Sequence, residues 1–550
     1  MSVREHLWGL LPRLTDYEEL PRSWRADLMA GLTVGIVALP LALGFGISSG
    51  AGAEAGIVTA IVAGFIAAVF GGSHVQVSGP TGAMVVVLAP IIAAHGVGAV
   101  ALLSVMAGAI LLITGIARMG RAVALIPWPV IEGFTLGIAA IIFLQQIPTL
   151  TGASGDHSTN VIVAAFQAIA AVRIDDALWA LLCVATVAAC MLGLPKLHRS
   201  IPASLVGIVL ATLVTTLAGS PLPVIGELPH TLPVPSLPTV SLGLLSELAL
   251  PAVTVAALAG IESLLSVRVA ASMSSKGRYE ADRELVGQGL ASIGAGLFGG
   301  MPATGAIART AVNLRAGART RLAAGFHSVV LLGIILFAAA PVGMVPLAAL
   351  AGVLMMTAVR MVQRRTAMTI LRSTKPDALA FVITAVVTIS VDLIFAVVIG
   401  MIVAGFFAVR SLSRAAGVRR EELPGEPVEG DEKIALLRIK GPLVFAAADR
   451  VSEAVTAQQG VSVVILAMSQ LEVVDATGAR TLSDMVVALE RRGITVLIKG
   501  VLPSHTGLFE RVGVMKALRH RNHLFPHLAP ALEHARSHVE RERGEAEVLT

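Results

Sequence analysis

From about residue 28 to about residue 410 the chain is a succession of apolar runs. Each is roughly 18 or more residues long, and short clusters of Gly, Pro and charged residues separate them. Runs of that length without a polar face predict membrane-spanning helices. From Asp431 the pattern becomes that of a soluble α/β domain. Strands are predicted at Ile434–Ile439, Val461–Met468 and Ile494–Lys499, the second apolar enough for a buried position. Helices are predicted at Phe445–Thr456, from Asp475 to Arg492, at Pro503–Val512 and at Pro530–Arg541.

These breaks divide the chain into a polar lead (1–26), a first set of spans (27–219), a Pro-rich connector (220–245), a second set (246–411), a linker (412–430), the α/β domain (431–541) and a charged tail expected to be disordered (542–550). Two segments break the rule of plain apolar helix. The third starts with the alternating, strand-like His74-Val75-Gln76-Val77-Ser78 and turns helical at Pro80. The tenth starts with the irregular Gly299–Ala303 and turns helical from Thr304 to Arg315. A polar stretch, Thr151–Asn160, leads to an amphipathic piece ending near Arg173.

Basic residues set the orientation. Arg118 and Arg121, Lys196 and Arg199, Lys276 and Arg278, Arg315 to Arg321, Arg360 to Arg365 and Arg410 to Arg420 fall on alternate loops. Lys and Arg collect on the cytoplasmic side, so both termini and the α/β domain are expected there, with about fourteen crossings. An odd number of spans per half, about seven, makes the two halves inverted repeats. Segments three and ten then enter from opposite faces, and their helix starts meet near the midplane.

Composition agrees. At 55% hydrophobic, 14% charged and a mean hydropathy of +0.82, the chain is too apolar for a soluble globular protein. Cys183 and Cys190 share one run and read as packing residues. The first 26 residues lack the apolar centre of a cleavable signal, so span one is expected to act as its own insertion signal. The net charge of +5 is modest. No nucleophile–base set or nucleotide loop points to an enzyme, and nothing points to nucleic acid. His520, His523, His527, His534 and His538 show no compact ligand set, so no metal or other cofactor is expected beyond a coupling Na+ or H+.

Candidate chemistry centres on two echoing stretches, Gly79-Pro80-Thr81-Gly82-Ala83 and Pro302-Ala303-Thr304-Gly305-Ala306. Gly and Pro loosen the backbone at mid-membrane, and small residues leave helix-start amides approachable, which makes an anion site. Such residues also serve plain helix packing; their recurrence in both halves favours the site. The hydroxyls of Ser78, Thr81 and Thr304 add donors. Arg309 lies too deep in segment ten for a loop charge and is a candidate fixed positive charge. Glu262, inside span eight, is the candidate ion-coupling group, with Ser266 one turn later on the same face. Phe45, after Pro40 in span one, is a candidate lining residue. Glu132 is expected to be structural.

With these residues in hand, the chain resembles the sulfate permease (SulP) family of anion transporters, to which prestin and pendrin belong. The likeness covers about 27–540. It is carried by Asp27-Leu28-Met29-Ala30-Gly31-Leu32-Thr33-Val34-Gly35, by Gly71-Gly72-Ser73 with Gly79-Pro80-Thr81-Gly82, by Pro302–Thr310, and by a distal domain that looks like a STAS module. The resemblance implies an α-helical membrane protein of seven-plus-seven inverted repeats, with core and gate domains, a cytosolic STAS domain and a homodimeric state. It also implies an anion held between Ser78–Ala83 and Thr304–Ala306, lined by Phe45 and faced by Arg309, with coupling at Glu262. The chain departs from the family pattern at Leu41, Gly56-Ile57-Val58, His74 and Ala476. Ala476 follows Asp475 where related modules place a phosphorylatable residue; Thr477 remains. The implied function is elevator-type secondary transport of sulfate, bicarbonate or a dicarboxylate in the cytoplasmic membrane. A nucleobase transporter of the same plan, and an anion channel or regulatory receptor, remain alternatives at this point.

Overall fold

The structure, a computed structural model, describes residue 5 and residues 8–121, 126–151, 161–172, 174–197, 202–273, 279–390 and 393–548. Residues 152–160, Arg173, Arg199, Lys276 and Arg278, used above for topology, lie outside the described residues. Two compact units result, 1–401 and 402–550.

In the first unit the leading helices are α1 (Leu20–Ser48), α2 (Gly52–Phe70), α3 (Gly82–His95) and α4 (Gly98–Ile116). They pack with α9 (Leu242–Met273), α10 (Ala281–Leu297), α11 (Ile307–Arg315) and α12 (Arg321–Gly343). A second group gathers α5 (Trp128–Gln145), α6 (Val161–Ala170), α7 (Ile174–Leu197) and α8 (Ala203–Leu217) with α13 (Leu347–Met361), α14 (Arg364–Arg372) and α15 (Lys375–Ser390). Each group thus draws equivalent helices from both halves of the chain, which is what an internal repeat built into two bodies requires. Among the described residues nine helices are long and apolar enough to cross a membrane. Neither α3, with 14 residues, nor α11, with 9, is one of them. At 1.5 Å per residue they rise only about 21 and 14 Å, short of the roughly 30 Å hydrocarbon layer. They are half-helices.

Buried charge fastens this unit, and each charge has partners. The Asp27 carboxylate accepts from the Arg319 and Thr320 amides at 2.7 and 3.0 Å and from the Thr320 and Ser23 hydroxyls, capping the start of α12. Ahead of α1, Asp16 takes both arms of Arg283, at 3.2 and 2.6 Å. Burial alone would raise its pKa, but the Arg283 hydrogen bonds, the Arg13 amide and Arg321 outweigh that and hold it at about 2. Glu132, expected to be structural, accepts from the Trp128 indole at 3.2 Å.

α16 (Leu393–Ala415) starts in the first unit and ends in the second, where a five-stranded sheet follows in the order β3-β4-β5-β6-β7. The strands are β3 (Gly417–Glu421), β4 (Ile434–Leu443), β5 (Val463–Val474), β6 (Thr495–Lys499) and β7 (Leu524–Phe525). β3 is antiparallel to β4, and the remaining pairs are parallel. Helices α17 (Phe445–Thr456), α18 (Ala476–Arg491) and α19 (Pro503–Val512) are joined by α20 (Leu528–Val548). Apolar side chains fill both faces of the sheet, as parallel strands require. Asp475 starts two helices at once, accepting from the Gly478 amide at 2.7 Å and from the Phe445 amide at 3.0 Å.

Three expectations are corrected here. The linker 412–430 contains strand β3, whose Glu421 pairs with Arg438 across the ladder at 2.5 Å. The tail 542–550 is not disordered through its length: α20 runs to Val548, in a stretch of good helix formers with interleaved acids and bases. The distal histidines are not all scattered, since His523, His534 and His538 converge.

Candidate functional site

The two echoing stretches meet. Ser78–Gly79 (β1) pairs antiparallel with Thr304–Gly305 (β2), Ser78 opposite Gly305 and Gly79 opposite Thr304. Each short strand runs directly into its half-helix, so antiparallel pairing sends α3 and α11 away from one another with their N-termini facing. Thr304 was expected to open the helix. It is extended instead, because the Gly305 amide donates to Ser263 Oγ at 2.9 Å and the Ala306 amide to the Val77 carbonyl at 2.9 Å.

Neither helix start is capped by its own side chain. Thr81 holds the N-cap position of α3, yet its hydroxyl donates to Glu262 Oε2 at 2.8 Å. Ala306 at the N-cap of α11 has no capping group at all. The first amides of a helix have no intrahelical acceptor, so both ends, Gly82 and Ala83 among them, present positive partial charge to the space between them.

Arg309 adds a full charge. It is 1% exposed, and its Nη2 donates to the Pro80 carbonyl at 2.5 Å while Nη1 has no hydrogen-bond partner. Gly79 makes room for it. A Cβ on Gly79 would stand 2.6 Å from Nη1, and the residue's φ of +152° also favours glycine. Gly79→Ala is therefore expected to lower anion uptake by about 5- to 150-fold in a protein that still reaches the membrane, the effect of roughly 1–3 kcal/mol of local strain. Transport assays at matched surface expression check it.

The remaining predicted residues gather here as well. Glu262 is half-buried on α9, and Ser266, one turn on, shares a hydrogen bond of 3.3 Å with Thr310. Phe45 is buried beside Gly82: a Cβ there would lie 3.4 Å from the Phe45 ring and 2.0 Å from Ile142 Cδ1. Ile142 belongs to α5, in the other helix group, so a residue from that body seats directly on the start of α3. Between α1, α3, α5 and α13 a cavity of about 300 Å³ opens, with Ser48, Gln145, Gln146 and Thr149 as its polar lining.

A supporting shell went unread in the sequence. Ser263 hydrogen-bonds Thr304 at 3.0 Å. Gln288 donates to Ser78 Oγ at 2.6 Å and to Glu284 Oε1 at 2.8 Å, and Glu284 in turn accepts from the Gly72 amide at 2.8 Å. Thr310 and Asn313 take the Val77 amide and Val75 carbonyl, so the approach to β1 is tied to α11. The spacing of Glu284 and Gln288, one turn apart where the charged start of α10 passes into its apolar part, was the available signal.

The chain is similar to known proteins. Residues 24–384 match the family model for the sulfate permease family, and residues 427–531 match that for the STAS domain. The chain is 32% identical to YvdB of Bacillus subtilis (strain 168) over 92% of its own length and 97% of that protein. It is 29% identical to the bicarbonate transporter BicA of Synechocystis sp. (strain ATCC 27184 / PCC 6803 / Kazusa), over 91% of this chain and 92% of BicA. Among solved structures, the transmembrane domain of a cyanobacterium BicA superposes at a TM-score of 0.60 with 33% identity, covering 70% of this chain and 97% of that one. SLC26A9 gives 0.82 with 16% identity over 98% and 95%, a likeness of fold. The paired half-helices and the two family matches lead to one placement: this chain is a member of the sulfate permease family, a membrane transporter with a STAS domain.

Proposed function

We propose that this chain is a secondary active transporter of small oxyanions, with bicarbonate or sulfate as first candidates and a dicarboxylate as third, coupled to H+ or Na+. One observation carries the reading: the Arg309 guanidinium, with Nη1 unpartnered, lies against Gly79 between two uncapped helix starts. A buried cation beside two positive helix ends is stabilised by an anion in that space. The names of the relatives support the substrate class, since BicA is a bicarbonate transporter and a chloroplastic Arabidopsis thaliana relative, 27% identical over 89% of this chain, is a sulfate transporter.

In this reading the group containing α3 and α11 is the mobile core, and the group containing α5 and α13 is the gate. The core carries the anion past Ile142 in an elevator movement, in a homodimer seated in the cytoplasmic membrane with the STAS domain inside. The seat of Ile142 on Gly82 supports a boundary there between moving and fixed parts. Coupling is assigned to Glu262, with Ser266 assisting if the ion is sodium.

Purified protein in proteoliposomes tests this. Labelled sulfate and bicarbonate are offered with an inward H+ gradient, an inward Na+ gradient or neither. Uphill accumulation of an anion under one gradient is the expected result. Uptake of uracil in place of anions would establish the nucleobase alternative, and strictly downhill flux would overturn secondary active transport in favour of a passive pathway such as a channel.

A further inference from the structure

The soluble unit holds a cluster that the transport reading leaves unused. His534 and His538 stand one turn apart on α20, with their Nε2 atoms 3.3 Å from each other. His523, just before β7, turns its ring to both, at centroid distances of 5.4 and 5.6 Å. One ring nitrogen from each of the three lies within 4.8 Å of the other two. His523 is 4% exposed, and its Nδ1 has no hydrogen-bond partner. A buried polar atom without a partner is costly, and its presence next to two more imidazoles calls for a ligand.

We propose that His523, His534 and His538 form a site for a divalent transition metal, zinc fitting best. Tetrahedral zinc holds imidazole nitrogens at about 2.0–2.1 Å, which places two ligand nitrogens about 3.3–3.4 Å apart. The His534–His538 pair already has that separation. His523 completes the set by closing roughly an ångström or slightly more. The His-x3-His spacing along one helix face is a recurring zinc-ligand spacing, and imidazole suits zinc, copper and nickel.

Three ligands leave the fourth position to water. His520 stands beside the set, 6.2 Å from His523 by ring centroid, but its Nδ1 accepts from the Asn522 amide. Arg541 and Arg519 lie near His538, and among the described residues no carboxylate joins the three imidazoles. A bound ion would fasten β7, the edge strand, to α20, whose Ala531, Leu532, Ala535 and Val539 cover one face of the sheet.

The test uses the full chain in detergent, stripped with a chelator and titrated with Zn2+ or Co2+. The expected result is a single high-affinity ion per chain, a raised melting temperature with zinc, and the intense visible bands of tetrahedral Co2+. Loss of an outer-shell partner already weakens metal sites 10–100-fold, so H534Q and H538Q are expected to weaken zinc by about 100-fold or more. H527A, at an exposed histidine outside the cluster, is expected to leave it unchanged. Equal zinc affinity in H534Q, H538Q and native protein would overturn the site. So would a weak octahedral cobalt spectrum of the native chain, a readout that needs no substitution and stands even if a variant misfolds.

Discussion

Replacing Arg309 with Ala is expected to raise the KM for the transported anion by about 30-fold to a few thousandfold while the protein remains folded and membrane-inserted. That range is the roughly 2–5 kcal/mol attached to truncating one member of a buried, hydrogen-bonded charge pair, the anion being the other member. The magnitude follows from the surroundings. Arg309 is almost wholly buried, its one hydrogen bond goes to the Pro80 carbonyl, and Nη1 is left to face Gly79. In a medium of low dielectric the substrate supplies Nη1 with the partner that the protein does not.

Two further variants separate charge from packing. Arg309→Met keeps much of the side-chain volume and loses the charge, so it is expected to behave like Ala. Arg309→Lys keeps the charge but loses the planar fork that reaches Pro80, so it is expected to fall between. Thermal unfolding of each variant checks folding, and counterflow uptake checks affinity. Native affinity in a folded Arg309→Met protein would remove Arg309 from the site.

The helices around this arginine were largely legible because apolar runs and Gly-Pro breaks are local signals. The pairing was legible only through symmetry: an odd number of spans per half predicts facing helix starts, and β1–β2 is the form that facing takes. Its extent was misjudged. His74–Ser78 alternates like a five-residue strand, yet only Ser78 and Gly79 pair, since Asn313 and Thr310 side chains bond Val75 and Val77 where a partner strand would. Side-chain substitutes for a ladder leave no trace in periodicity. Likewise α14 was read as loop charge, because its basic residues had already been assigned to the cytoplasmic face.

Long-range partners were the least legible. Thr81 and Glu262 are 181 positions apart, and nothing local in either segment announces the bond. The histidines show the boundary well. The His534–His538 pair is visible as an i, i+4 spacing, but His523 reaches it only because β7 docks parallel to β6 at the edge of the sheet.

Glu262→Gln is expected to abolish gradient-driven accumulation while leaving anion exchange largely intact. Glutamine keeps the shape and an acceptor for the Thr81 hydroxyl, so the hydrogen bond at the start of α3 survives. The negative charge does not. With that charge in place, a substrate anion on the order of 8 Å away is opposed by roughly 2 kcal/mol at an effective dielectric constant of 20, about a 30-fold loss of affinity. A proton or a sodium ion at Glu262 removes the penalty, and by linkage the bound anion favours the ion by the same factor. In the proposed mechanism that reciprocity is the coupling.

In the glutamine variant the penalty is permanently absent, so anion binding no longer depends on the ion. Counterflow exchange should persist at near-native affinity, and uphill uptake under an imposed H+ or Na+ gradient should vanish. Measuring both in one proteoliposome preparation distinguishes loss of coupling from loss of the protein. Accumulation that still follows either gradient would place the coupling group elsewhere. Loss of exchange and accumulation together would mean that Glu262 holds Thr81 and the α3 start in position, a structural role in which charge matters less than the hydrogen bond.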